Sequence, residues 1–292
     1  MADAQRPSPH LEHVRWSRRP QLFAPVMLVA LSGWSDAGDA ASGAISVLAE
    51  RWRARPFADL DPEVFYDFAA TRPLVRFDAR GEREIVWPQI ELSAATIPDA
   101  DLDVILVMAP EPQLRWRTFC EQIIGVARAF DTRRIVTFGA LLAEVPHSRP
   151  VPVFGIGHEP ETAREFGLLP SRYEGPTGVT GVLQVLARQA GLQSSSLWAA
   201  VPTYVPSSPS PKATLALVER ALRLLDASLD LRELQQAARA YEEEVSSLVD
   251  DDEETREYVR QIELRFDEEE PTLLDDGSTL VEEVERFLRD QE

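Results

Sequence analysis

Strand-length apolar runs, each followed by a stretch with helical spacing, recur along most of this chain, and they restrict the fold more than any other feature. Val26–Leu31 (VMLVAL) is uninterrupted, passes through Ser32-Gly33-Trp34-Ser35-Asp36, and enters an Ala-rich helical pattern that lasts to about Arg53. Asp103–Ala109 (DVILVMA) leads into a helix from about Gln113 to Phe130, with Trp116, Phe119, Ile123, Val126 and Phe130 on one face. Arg134–Leu142 and the shorter VPVFGIG are further strands. Gly178–Gly191 is a helix after the loop Tyr173-Glu174-Gly175-Pro176-Thr177, and Leu197–Val205 is the last strand of the body. A strand with no polar face is covered on both sides. The pattern therefore predicts a three-layer α/β/α sandwich around a mixed, mostly parallel sheet, with any ligand site at the carboxyl ends of the strands. Glu63–Phe68 (EVFYDF) is strand-like, and LVRF and EIVWP around Asp78-Ala79-Arg80-Gly81 form a hairpin expected to bring antiparallel strands to that sheet.

Past the Pro- and Ser-rich segment Tyr204–Lys212 only helical patterns remain. Leu231, Leu234, Ala238, Tyr241, Val245 and Leu248 step by three and four, a narrow apolar seam. The acidic stretch Asp250–Glu254 interrupts it, Val259, Ile262 and Phe266 resume it, and after a polar gap around Pro271–Ser278 a terminal amphipathic helix carries Leu280, Val284, Phe287 and Leu288. Such seams pack on the body or on a partner chain, and packing on the body is the simpler expectation. The chain thus divides into a flexible lead-in (1–21), an α/β core (22–228) and an acidic helical C-terminal appendage (229–292).

Charge follows the same division. Residues 226–292 hold 24 carboxylates against 7 arginines, so almost all of the net charge of −19 sits there. A surface of this sign repels nucleic-acid phosphates and anionic membranes, and no basic stripe offsets it. No apolar run reaches the roughly 18 residues of a membrane span, and the N-terminus lacks an apolar signal core, so a cytoplasmic location is expected. Cys120 is the single cysteine, which rules out a disulfide framework.

Two loops are candidates for ligand binding. Gly33-Trp34-Ser35-Asp36, with Asp39 following, joins a strand to a helix and falls one glycine short of the G-x-S-x-G nucleophile elbow. Ser35 and Asp36 also suit helix capping, because their side chains accept bonds from free amides. Glu174, Thr177 and Thr180 lie in EGPTGVTG, which lacks the lysine and the spacing of a phosphate-binding loop; Gly178 and Gly181 read equally as close-packing positions. An enzyme at these loops would need Ser35, Asp36, Glu174 and Thr177 in one pocket. Hydrolysis would also need a histidine, and the body offers His147 and His158. His10 with His13, and Glu144 with His147, are not zinc ligand sets, so no metal or cofactor is expected; the acidic runs Asp250–Glu254 and Asp267–Glu270 read as solvated faces.

Four phrases occur in order along the chain: GWSDAGDAASGAISVL after the first strand, EVPHSRPVPV, YEGPTGVTGVLQVLARQAG and SLWAAVPTYVPSSPSPKATLALV. Together, over about Val26 to Val218, they resemble the proteasome assembly chaperone 2 family in its actinobacterial form. The resemblance implies a phosphorylase/hydrolase-like α/β/α fold. It also implies a non-enzymatic, assembly-chaperone-like protein that binds protein partners related to the proteasome and forms a homo-oligomer. The alternative is an enzyme, a hydrolase or ATP-dependent ligase, using the loops around Ser35 and Glu174. Family members that dock on the proteasome ring end in a hydrophobic-Tyr-X tripeptide, whereas this sequence ends Arg289-Asp290-Gln291-Glu292, so docking through the tail is not expected.

Overall fold

The computed structural model of the chain describes residues 11–98, 100–157, 167–168, 174–205 and 209–275. Its strands are β1 (Val14–Trp16), β2 (Val26–Ser32), β3 (Arg55–Leu60), β4 (Leu74–Phe77), β5 (Arg83–Val86), β6 (Ile90–Thr96), β7 (Asp103–Pro110), β8 (Arg134–Ala143), β9 (Val153–Gly157) and β10 (Gln193–Pro202). Its helices are α1 (Ala40–Arg51), α2 (Pro62–Phe65), α3 (Trp116–Ala129), α4 (Val179–Gln189), α5 (Pro211–Leu225), α6 (Arg232–Asp250) and α7 (Glu253–Asp275). Eight strands form one sheet in the order β1-β3-β6-β7-β2-β8-β10-β9. The four central strands β7, β2, β8 and β10 are parallel, β3 points the same way, and β1, β6 and β9 oppose them. This is the mixed, mostly parallel sheet that the apolar runs require.

Side chains alternate across the central strand β2 and so define both outer layers. Val26, Leu28 and Ala30 point into a core shared with α1 and α5, through Ala44, Ile45, Leu48, Leu217 and Val218. Met27, Val29 and Leu31 point the other way, into a core built with α3 and α4 through Phe119, Ile123, Val126 and Leu183. Burial on both faces explains why this strand has no polar position before Ser32.

The edges depart from the expectations. The hairpin forms, but β4 and β5 make a separate two-stranded sheet; the antiparallel strands of the main sheet are β1, β6 and β9 instead. β1 lies within the expected flexible lead-in and pairs with β3, Val14 opposite Leu60, so order begins well before residue 22. In EVFYDF, Pro62–Phe65 is one helical turn. Asp61 caps it by accepting from the Glu63 amide, and Pro62 supplies a preset φ, signals that outweigh the aromatic strand propensity.

The appendage packs on its own chain. Phe266 of α7 joins Leu141, Ala143, Val145, Phe154, Ile156, Trp198 and Ala200 at the β8-β10-β9 edge. Tyr241, Val245 and Val249 of α6 cluster with Val259 against Tyr204 and Val205. The α6 seam thus steps from Val245 to Val249, and Leu248, expected in the seam, is exposed. Polar bonds fasten the same contact. Arg149 donates to both Asp267 oxygens at 2.7 and 2.9 Å, and Arg265 pairs with Glu144 at 3.0 Å. The expected polar gap after Pro271 is still helix as far as Asp275, and the terminal helix expected around Leu280–Leu288 lies outside the described residues.

Candidate functional site

β2 delivers its following loop to the carboxyl edge of the sheet, and the backbone there is tightly held. Gly33 has φ +129°, a conformation that favours glycine. The Ser35 carbonyl accepts from the Ala140 amide at 2.8 Å, extending the β2–β8 pairing by one step. Asp36 Oδ1 accepts from the amides of Ala41 at 2.7 Å and Ser42 at 3.1 Å. Asp36 therefore caps the start of α1. Gly38 and Asp39 continue in the left-handed region, and the Gly38 carbonyl accepts from the Ser210 amide at 2.7 Å, which ties the loop to the start of α5. Ser35 and Asp36 are buried, and Ser35 Oγ and Asp36 Oδ2 have no hydrogen-bond partner among the described residues. Burial pushes the Asp36 carboxyl above its ordinary range, the bonds from Ser42 and Ala41 oppose the shift, and Asp39 adds to it.

The two candidate loops do meet. The Trp34 ring covers Gly178, where an added Cβ would lie 3.0 Å from the indole. Gly181 is equally confined, since a Cβ there would lie 2.1 Å from Thr177 Oγ1. Both glycines are thus close-packing positions. Between the loops stands Glu111, just past the end of β7, whose carboxylate accepts from the Val179 amide at 3.3 Å and from the Trp34 backbone. The first amide of α4, the kind of group that would hold a ligand anion, is satisfied by this internal carboxylate. Burial raises the Glu111 pKa, and the two amide bonds counter it in part. Glu111 was missed in the sequence reading; the available signal was an acid directly after a fully apolar strand. Glu111→Ala is expected to cost about 1–3 kcal/mol in urea unfolding, because amides at a packed junction lose their acceptor.

The other candidate residues differ in exposure. Thr180 is buried within α4, whereas Asp39, Glu174 and Thr177 are exposed. His147 is not a base for Ser35. Its Nδ1 lies 2.8 Å from the Tyr204 hydroxyl, which also accepts from the His147 amide at 2.7 Å, and its Nε2 lies 3.0 Å from Ser246 Oγ. Both ring nitrogens are thus engaged by hydroxyl groups, each of which can donate or accept according to the imidazole tautomer. Lys212 donates to the His147 carbonyl and to Glu242, completing a network that joins the β8–β9 loop to α5 and α6. Glu144 bonds Arg265 and lies apart from any metal arrangement with His147; among the described residues no group of three or more His, Cys, Asp or Glu could hold a metal ion. His13 pairs with Glu12 at 3.2 Å, and His10 and His158 lie outside the described residues.

Burial first, and the Lys212 charge second, hold the His147 imidazole below its ordinary value, with Glu242, Glu263 and Asp250 pulling the other way. The unfolded chain takes up this proton near pH 6.5, at a higher pH than the folded one. The network's contribution is thus complete above about pH 7 and is lost as pH falls through about 6.5 towards the folded value. The stability difference between wild type and His147→Gln should shrink between pH 7 and pH 5 in denaturant titrations.

A family model described as "PAC2 family" matches residues 30–249, about three quarters of the chain and both loops of the junction. The chain belongs to the PAC2 family. A PAC2 family protein from Streptomyces avermitilis has 45% identity and a TM-score of 0.75, covering 80% of this chain and 99% of its own. A proteasome-assembly chaperone homologue from Mycobacterium tuberculosis has 43% identity and a TM-score of 0.73 over the same shares, 80% and 99%. An M. tuberculosis protein of unknown function has 24% identity, covers 100% of this chain and 99% of its own, and has a TM-score of 0.83, a likeness of fold that extends over the appendage. No curated protein matches the chain. The Streptomyces PAC2 protein has the same α/β fold, and among the described residues no helix is long and apolar enough to cross a membrane.

Proposed function

We propose that this PAC2 protein is a cytoplasmic, non-enzymatic protein-binding factor that self-associates and serves the assembly of a larger complex, with proteasome-related partners. The observation that carries the reading is a contrast in how the chain treats its loops and its surface. At the carboxyl edge of the sheet, where an α/β enzyme keeps its chemistry, the candidate groups are spent on structure: Asp36 caps α1, and Glu111 occupies the start of α4. From the same edge the β4–β5 hairpin projects, and its large apolar side chains stand in solvent, as protein-binding surfaces require. The relationship to a proteasome-assembly chaperone homologue at 43% identity supports the same class of role. We place the working division at a 22–228 core and a 229–292 appendage that unfold as one unit. Affinity capture of the tagged full-length protein from its native lysate, with light scattering on the purified protein, tests the proposal. Enrichment of a defined complex, foremost proteasome subunits, is expected; a monomer that captures no defined complex would overturn it.

A second reading has one observation in its favour, the unpartnered buried Ser35 Oγ and Asp36 Oδ2. In it the junction binds a small molecule by opening the Trp34 cover. A ligand screen by thermal shift decides, with Ser35→Ala and Glu174→Gln as controls: a stabilising ligand lost in Ser35→Ala would favour it.

A further inference from the structure

The β4–β5 hairpin is an arm with no third strand to support it, and in water an isolated two-stranded hairpin is marginal at best. All of β4, and all of β5 except Val86, is exposed. The pairing inside the arm fixes which backbone groups stay free. The Asp78 amide donates to the Glu82 carbonyl at 2.9 Å, and bonded and non-bonded pairs alternate from there, so Arg76 with Glu84 and Leu74 with Val86 are bonded pairs. The amides and carbonyls of Val75 and Phe77 on β4, and of Arg83 and Ile85 on β5, therefore point away from the partner strand. Among the described residues no strand lies beyond either edge. Alternation also places Val75, Phe77, Ile85 and Trp87 on one face, all between 45% and 69% exposed. Charge on the arm is balanced. Arg76, Arg80 and Arg83 stand against Asp78, Glu82 and Glu84, with Glu84 opposite Arg76 and the Arg83 guanidinium 5.8 Å from the Phe77 ring centroid.

A balanced arm suits a second copy of itself, because two such arms meet without net repulsion, whereas the rest of the chain holds the whole net charge of −19. Like charges and a proline then eliminate most antiparallel registers. On the β4 edge, Val75 facing Phe77 brings Arg76 onto Arg76, and Val75 facing Val75 draws Pro73, which has no amide, into the ladder. Phe77 facing Phe77 carries the pairing into the turn. On the β5 edge, Arg83 facing Ile85 brings Glu84 onto Glu84, and Arg83 facing Arg83 brings Glu82 onto Glu84. Ile85 facing Ile85 is free of these conflicts: Glu84 meets Val86, and Arg83 meets Trp87 on the same face, where a cation and an indole attract. Adding β4 of one copy antiparallel to β5 of the next would set the two bodies about 10 Å apart, two strand spacings. That is less than the radius of gyration of about 19 Å for a chain of this length, so the bodies would overlap. Two β5 edges around a two-fold axis point the arms in opposite directions and keep the bodies at opposite ends. The four strands so joined exceed the three that an independently stable sheet needs.

We infer that β5 of one copy pairs antiparallel with β5 of a second copy, with Ile85 at the two-fold axis, so that two arms form one four-stranded sheet between the bodies. The inference rests on the self-association proposed above and names its surface. Light scattering on the full-length protein tests it, with proline as the probe. Proline removes one amide, and Val75 and Ile85 can each lose theirs without breaking a bond inside the arm. Wild type should be a dimer. Ile85→Pro should be a monomer of 32.7 kDa with unchanged circular dichroism, and Val75→Pro, the same change on the unused β4 edge, should stay dimeric. Mild oxidation of Ile85→Cys should give a disulfide-linked dimer on non-reducing gels, because the Cα atoms of a bonded pair lie about 5.5 Å apart. The native Cys120 is buried and gives no such product. An Ile85→Pro protein that still dimerises, a Val75→Pro protein that does not, or an Ile85→Cys protein that links no better than wild type overturns the inference while leaving self-association standing. A wild-type monomer removes both.

Discussion

Phe266→Ala is expected to lower the unfolding free energy by about 3–5 kcal/mol, the range for deleting a large aromatic from a closed core. Phe266 is 3% exposed and is the α7 member of a cluster otherwise made by the sheet edge, with Trp198, Phe154 and Leu141 beneath it. Truncation leaves these groups facing a cavity on one side and water on the other. Guanidinium titrations followed by tryptophan fluorescence should show a lower midpoint with a single transition retained. If the appendage were an independently folded device, the same change would melt α7 alone, and a second, earlier transition would appear; that result would overturn the one-unit division.

Gly139→Ala should cost about 3 kcal/mol or more, by overpacking rather than by loss of contact. Gly139 on β8 lies in register with Trp198 on β10, and an added Cβ would be 2.6 Å from two indole carbons. Backbone on both central strands is fixed by pairing on either side, so the indole must move. It moves against Phe154, Ile156 and Phe266. The cost should therefore be non-additive with that of Phe266→Ala, because the shortened side chain makes room for the displaced ring. A double-mutant cycle with additive costs would show that Trp198 does not transmit the strain to α7.

Both predictions concern a contact that the sequence only half disclosed. The periodicity of Val259, Ile262 and Phe266 was legible, since a narrow apolar stripe on an acidic helix must be covered. What covers it was not, because a seam specifies a face and leaves the partner open. The exchange of Leu248 for Val249 has the same origin: both fit helical spacing after Val245, and only the position of Tyr204 and Val205 beneath α6 selects between them.

The candidate site shows a similar limit. Gly33, Ser35, Asp36, Gly178 and Gly181 stood out as loop residues flanking helices, and the structure places Trp34 on Gly178. Glu111 did not stand out, because a lone acid after a strand carries no motif. Its partners, Val179 and Trp34, are distant in the chain and are brought together only by the sheet order. The hairpin failed differently. Turn chemistry at Asp78-Ala79-Arg80-Gly81 is local and was readable, yet whether two strands join a larger sheet depends on a free edge at the right height. β6 pairs with both β3 and β7, so the hairpin between β3 and β6 had no such edge.

Local patterns thus determined what depends on neighbours in the chain: apolar strands covered on both faces, helices between them, the turn, the caps and the segregation of acidic charge into the last quarter. Tertiary structure alone decided the quantities set by distant residues meeting, namely the strand order, the edge that α7 covers, the Glu111 clasp and the exposure of the β4–β5 arm. The division follows from the physics. Periodicity and capping act over a few residues, whereas pairing partners and burial are fixed only when the whole chain has found its one compact arrangement.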